Sequence, residues 1–194
     1  MERILAPQLF DVIRERFGQM ADVLTYTSFF YGGAVRDVLA GIPLQGDLDI
    51  AVSHGPGEIT AIRNNIKKYA ADWEARPEKP AFGNYGEDHP SLIDGMEEYQ
   101  FKGRLTQIMV SSCLKGDAIE KALNIVKQVD IVCCGVALDC WGYVYEMVPG
   151  AITHCRERVL VYNTEQQYHQ NGQKSQRYLS RIHKLRERGW KLLG

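Results

Sequence analysis

Apolar and polar positions alternate along this chain with two different periods, 3.6 and 2, which predicts a mixed α+β domain. Pro7 to Phe17 carries Leu9, Phe10, Ile13 and Phe17 at helical spacing, with Pro7 near the start and Gly18 at the end. Thr25 to Tyr31 is rich in β-formers and predicts a strand that delivers the chain to Gly32. Ala34 to Ala40 predicts a short helix stopped by Gly41. Pro43 and Gly46 then mark a loop before a second strand, Leu48 to Val52. Ile59 to Trp73 is helical, with Ile62, Ile66 and Tyr69 on one side and Arg63, Lys67 and Lys68 towards the other.

From Glu74 to Pro90 the periodicity fails among prolines and glycines, which predicts a long surface loop. Met96 to Phe101 and Leu105 to Val110 predict a hairpin turning at Lys102-Gly103. Asp117 to Lys127 predicts a helix, Val129 to Leu138 an apolar strand carrying Asp130, and Tyr143 to Met147 a further strand. The last element, Gln173 to Arg188, puts Tyr178, Ile182 and Leu185 on one helical face. Arg177, Arg181, Lys184 and Arg188 form a basic stripe along another.

Composition adds limits. With 194 residues, 45% apolar and 24% charged, the chain can bury a core and is not disordered throughout. The expected division is a domain over 1–160 with a helical extension over 161–194 packing on it. Net charge is −1, but Lys174 to Lys191 holds seven basic residues against the single acid Glu187, a surplus of +6 that leaves −7 elsewhere. A basic tail on an acidic body points to an anionic partner, although most charge runs are solvated helix faces. The five cysteines, Cys113, Cys133, Cys134, Cys140 and Cys155, are odd in number and lack a C-x-x-C pair. They read as reduced thiols in a cytoplasmic protein. No stretch reaches membrane-spanning length, and Met1-Glu2-Arg3 does not open a long apolar leader. His154, His169 and His183 lack ligand spacing, so no metal is expected at them.

The chemistry concentrates between Tyr31 and Val52. Gly32 and Gly33 allow a phosphate chain to approach the backbone, and the helix after them offers free N–H groups. Asp47 and Asp49 alternate with Leu48 and Ile50, so a strand puts both carboxylates on one face. Paired carboxylates are hard oxygen ligands suited to Mg²⁺ or Mn²⁺. A bare D-x-D is common; the glycine pair about a dozen residues upstream gives it weight. Phosphate cradle and metal clamp together predict phosphoryl or nucleotidyl transfer.

Gly32-Gly33-Ala34-Val35-Arg36-Asp37 followed by Asp47-Leu48-Asp49-Ile50 resembles the head-domain signature of the tRNA nucleotidyltransferase and poly(A) polymerase family, within the polymerase-β-like superfamily. The resemblance covers residues 28–52 closely and, by order of elements, 96–160. It implies a nucleotidyltransferase fold, a mixed central β-sheet flanked by helices with a C-terminal basic helix. It implies an enzyme that moves NMP from an NTP to a hydroxyl and releases pyrophosphate, using two Mg²⁺ (or Mn²⁺) ions. Two-metal chemistry asks for a third carboxylate, for which Asp130 in its apolar run fits best, ahead of Asp139 and Glu146. By resemblance Arg36 contacts phosphate, and Arg177 and Arg181 lie on a helix like the family's arginine helix. An Arg36–Asp37 ion pair is not expected, because i and i+1 do not face each other on a helix.

Members that add to tRNA ends carry further helical domains and a base-selecting motif, neither recognisable in 194 residues. CCA addition is therefore not expected. The chain is instead similar to small stand-alone nucleotidyltransferases of bacterial defence systems and bacteriophages, working in the cytoplasm, the host's if phage-encoded. The acceptor would be an RNA end, a protein or a small molecule. Two alternatives stand beside this: a catalytically silent nucleotide- or RNA-binding protein of the same fold, and a nucleic-acid-binding module acting through the C-terminal helix.

Overall fold

The computed structural model describes residues 2–53, 55–76, 93–111, 115–164 and 176–193. Eight strands make one mixed sheet: β1 (Arg3–Leu5), β2 (Ser28–Tyr31), β3 (Leu48–Ser53), β4 (Glu74–Ala75), β5 (Ile93–Phe101), β6 (Arg104–Ser111), β7 (Val136–Leu138) and β8 (Tyr143–Glu146). Their order is β1-β8-β7-β2-β3-β6-β5-β4. β3 and β6 run parallel, and the other neighbours are antiparallel. The helices are α1 (Leu9–Phe17), α2 (Gly33–Leu39), α3 (Pro56–Tyr69), α4 (Ala118–Val126), α5 (Ala151–Glu157) and α6 (Gln176–Glu187). A small parallel pair, β9 (Val159–Leu160) and β10 (Lys191–Leu192), ties the end of the chain back to residues after α5.

Strand alternation divides the core. Phe30, Leu48, Ile50, Val52 and Ile108 face a large apolar cluster that takes Ile13 and Phe17 of α1, Val35 of α2, Ile62 of α3 and Ile152 of α5. Tyr178, Ile182 and Leu185 of α6 and the following Trp190 join the same cluster, which explains the apolar stripe of that helix. The opposite face presents Phe29, Tyr31, Ala51, Met96, Met109 and Ala137 to Leu123 and Val126 of α4. α4 begins with a capping box: Glu120 N donates to Asp117 Oδ1 at 2.8 Å and Asp117 N to Glu120 Oε2 at 3.1 Å.

The architecture is the mixed sheet with flanking helices expected from the sequence, with local differences. The run Val129 to Leu138 is not one strand. Ile131 makes an isolated bridge to Tyr162, Val132–Cys134 is a 3₁₀ turn, and only Val136–Leu138 joins the sheet. All of Ile131 to Leu138 is buried, so the run shows no alternation from which a turn could be read. α3 ends at Tyr69, and Trp73 instead packs beside Phe17. Glu74–Ala75 forms an edge strand where a loop was expected; 77–90 of that loop lies outside the described residues, as does 173–175 ahead of α6. β1, α5, β9 and β10 had no clear sequence signal, being two to seven residues long. Among the described residues no helix is long and apolar enough to cross a membrane.

Candidate active site

β2 ends at Tyr31, and the chain reverses through Gly32 at φ +67°, ψ −130°, a conformation that a side chain would strain. Gly32 N is held by Val136 O of β7 at 3.3 Å, and α2 starts at the next residue. On β3, Asp49 is in register with Tyr31 of β2 and with Gln107 of β6, so the three share one sheet face. Its carboxylate lies against the glycine turn: a Cβ placed on Gly32 would be 3.7 Å from Asp49 Oδ2. Asp47 stands two residues earlier, ahead of the strand and exposed.

The same row continues to a carboxylate that sequence reasoning missed. Glu98 of β5 is in register with Gln107, whose Nε2 donates to Glu98 Oε1 at 2.8 Å. Glu98 is only 6% exposed, with Arg76 Nη1 3.3 Å from its other oxygen. Its charge reaches Asp47: lost hydration first, and Glu98 second, raise the Asp47 carboxyl pKa, with Arg16 opposing them. The available signal was the hairpin's alternation, in which Tyr99 and Phe101 turn to the large core and Glu98 and Met96 to the other face.

Asp130 has a basic partner of its own. It sits in a bend after α4, and its carboxylate accepts a hydrogen bond from Arg181 Nη1 of α6 at 2.6 Å. Among the described residues no three His, Cys, Asp or Glu side chains gather as a metal cluster. Arg181, which pairs with Asp130, also interacts electrostatically with Asp49. Burial disfavours the Arg181 charge, and Arg36 opposes it, yet the neighbouring Cys134, Asp130 and Asp49 leave its pKa raised. The donor set of Asp47 and Asp49 suits one hard divalent cation, whereas Asp130 is already neutralised by Arg181. Asp139, weighed as another third acid, is fully buried and accepts from Trp141 N, Tyr143 N and the Tyr145 hydroxyl, which makes it a turn anchor.

Arg36 is turned inward, not towards a ligand. It is 6% exposed, and its Nε and Nη2 both donate to Asp37 Oδ1, at 2.8 and 2.6 Å. The exclusion of an i, i+1 pair is thus overturned: the long arginine stem folds back along the helix, where a shorter side chain could not. Nη1 donates to Cys134 Sγ at 3.3 Å, and the guanidinium carbon lies 5.3 Å from the Trp190 ring centroid. Burial disfavours this charge too, and Cys134, Asp37 and Cys133 together raise its pKa. Asp37 Oδ2 accepts from Arg188 of the chain's end at 2.8 Å, so Asp37 serves a distant basic residue. The expected phosphate contact of Arg36 is not offered by this conformation. Arg181 and Arg188 both face inward, while Lys184 is exposed. The side chain of Arg177 lies outside the described residues.

No protein-family model matches this sequence, and no curated protein matches it. Solved structures do. A CCA-adding enzyme in complex with ATP is similar at 16% identity over 98% of this chain and 41% of that one, with a TM-score of 0.56. A CCA-adding enzyme in complex with CTP is similar at 17% identity over 82% of this chain and 37% of that one, with a TM-score of 0.52. The CCA-adding enzyme of Bacillus stearothermophilus with CTP is 24% identical over 79% of this chain and 33% of that one, with a TM-score of 0.44. The chain thus spans well under half the length of each. What is shared is the fold, nucleotidyltransferase-like, with a central mixed sheet between helices.

Proposed function

We propose that the chain is a divalent-metal-dependent nucleotidyltransferase that moves NMP from an NTP to a hydroxyl acceptor and releases pyrophosphate. The observation that carries this is the Asp49 carboxylate facing the Gly32 turn, with Asp47 two residues before it, on a nucleotidyltransferase-like fold. Asp47 and Asp49 would hold Mg²⁺ or Mn²⁺, which supplies charge neutralisation for the triphosphate and activation of the acceptor hydroxyl. Gly32 and Gly33 leave room for phosphate oxygens at the backbone. Arg181, whose charge interacts with that of Asp49, would supply a fixed positive charge at the triphosphate, and Arg177 on the same helix is proposed to add to it. Asp130 holds Arg181 in place. Most of the acceleration then comes from positioning and electrostatics. RNA ends, proteins and small molecules are the acceptor classes, and the free cysteines suit a reducing cytoplasm.

A second reading, a catalytically silent nucleotide binder, is favoured by one observation: Asp130 is paired to Arg181 instead of completing an acid triad. Incubation of the chain with each labelled NTP, Mg²⁺ or Mn²⁺, and mixed RNA and protein acceptors separates the two. A labelled product that is lost in Asp49→Asn supports the transferase. Nucleotide binding without product in any mixture supports the binder.

A further inference from the structure

Beneath the candidate site lies a chain of buried and half-buried charges that the proposed chemistry does not explain. Arg188 donates to Asp37, Arg36 to Asp37 and to Cys134, and Arg181 to Cys134 and to Asp130. The chain joins α6 to α2 and to the bend before Ile131, and Cys134 is its centre. Arg36 Nη1 lies 3.3 Å and Arg181 Nη2 3.8 Å from the Cys134 sulfur, which is fully buried. Two guanidiniums thus aim N–H groups at one buried sulfur, and two cationic donors on a single acceptor favour its ionised form.

We propose that Cys134 is carried as a thiolate that bridges Arg36 and Arg181, and is thereby the positioning residue that fixes the Arg181 guanidinium. The role at the triphosphate rests on the transferase reading above; the thiolate itself does not. A hydrogen bond from Cys133 and the charges of Arg36 and Arg181 lower the Cys134 pKa, against burial and Asp130. The remaining titratable neighbour, Cys155 of α5, is held neutral by burial and by Cys134 itself, and so is Cys133. One anion therefore serves the whole cluster.

The test uses the reduced, full-length chain. Far-ultraviolet thiolate absorbance at neutral pH should show a thiolate that disappears on mild acidification and is missing from Cys134→Ser. No thiolate absorbance in the wild type at neutral pH overturns the proposal, whether or not the variant folds. Positioning is read by phenylglyoxal labelling of Arg181, located by peptide mass spectrometry. Cys134→Ser should be labelled about tenfold faster, with protection restored in Cys134→Asp, since a charge-assisted hydrogen bond is lost and regained. Equal labelling of wild type and Cys134→Ser overturns the positioning role. Where NTP turnover is found, Cys134→Ser should raise KM for the NTP by about tenfold with a smaller change in kcat. A wild type without turnover sinks the transferase reading, while absorbance and labelling still decide this one.

Discussion

The carboxylate of Asp49 faces the side of Gly32 where a side chain would stand, with Oδ2 3.7 Å from the place a Cβ would take. That spacing is ordinary contact, so the demand for glycine comes from the backbone, at φ +67° and ψ −130°. Gly32→Ala should therefore lose about 1–3 kcal/mol in urea unfolding through strain alone. Asp49→Asn should leave stability nearly unchanged yet abolish transfer. If Gly32→Ala unfolds like the wild type, the turn is not as constrained as its dihedrals imply.

Asp130 and Arg181 form a pair with 16% and 38% side-chain exposure, and the pairing decides what Asp130 does. As a partner of Arg181, Asp130→Ala should cost about 1.5–3 kcal/mol, and Arg181→Ala a similar amount. The double variant should lose less than the sum, because the second change removes a group already left unpaired. Strict additivity in a double-mutant cycle would mean that the two do not interact in solution.

The elements that were legible in the sequence are those with an outside and an inside. α1, α4, α6 and the β5–β6 hairpin each have one wet face, so their periods show. The run from Ile131 to Leu138 is buried all round, and its 3₁₀ turn left no trace in the pattern. Asp49 could be placed because strand period and glycine turn agree. Glu98 was missed because Glu97 and Glu98 are adjacent: the hairpin's alternation puts them on opposite faces, but that Glu98's face is the one Asp49 shares follows from the pairing with Gln107. Arg36 was misjudged by a rule about helix faces that ignores how far a folded arginine stem can reach back to Asp37.

Asp37 is 1% exposed and receives Arg36 on one oxygen and Arg188 on the other. Removing it would leave two guanidiniums without their acid. Asp37→Ala should destabilise by about 3–5 kcal/mol, more than any single change at the glycine turn. The loss should appear first as faster hydrogen exchange in α6, since Arg188 is the tie between Asp37 and the chain's end. A variant with wild-type exchange in α6 would show that the apolar contacts of Tyr178, Ile182 and Leu185 hold the helix alone.

The acidic row also makes a pH prediction with a definite sign. The Asp47 carboxyl is raised above its usual value of 3.8, by lost hydration and then by Glu98, with Arg16 pulling the other way. A raised acid holds its proton more tightly folded than unfolded, so folding stability falls as pH rises from the usual carboxylate value through the raised one. Glu98→Gln removes one of the two raising causes. Its Asp47 should titrate lower in carboxyl-carbon NMR, and its stability should fall less steeply over that window. Arg16→Ala should do the reverse. Mg²⁺ favours the ionised carboxylate, so adding it should lower the Asp47 pKa in the wild type and raise the melting temperature, both effects vanishing in Asp49→Asn. An Asp47 titration indifferent to Mg²⁺ would remove Asp47 from the metal site, and one indifferent to Glu98→Gln would break the electrostatic link between β5 and the start of β3.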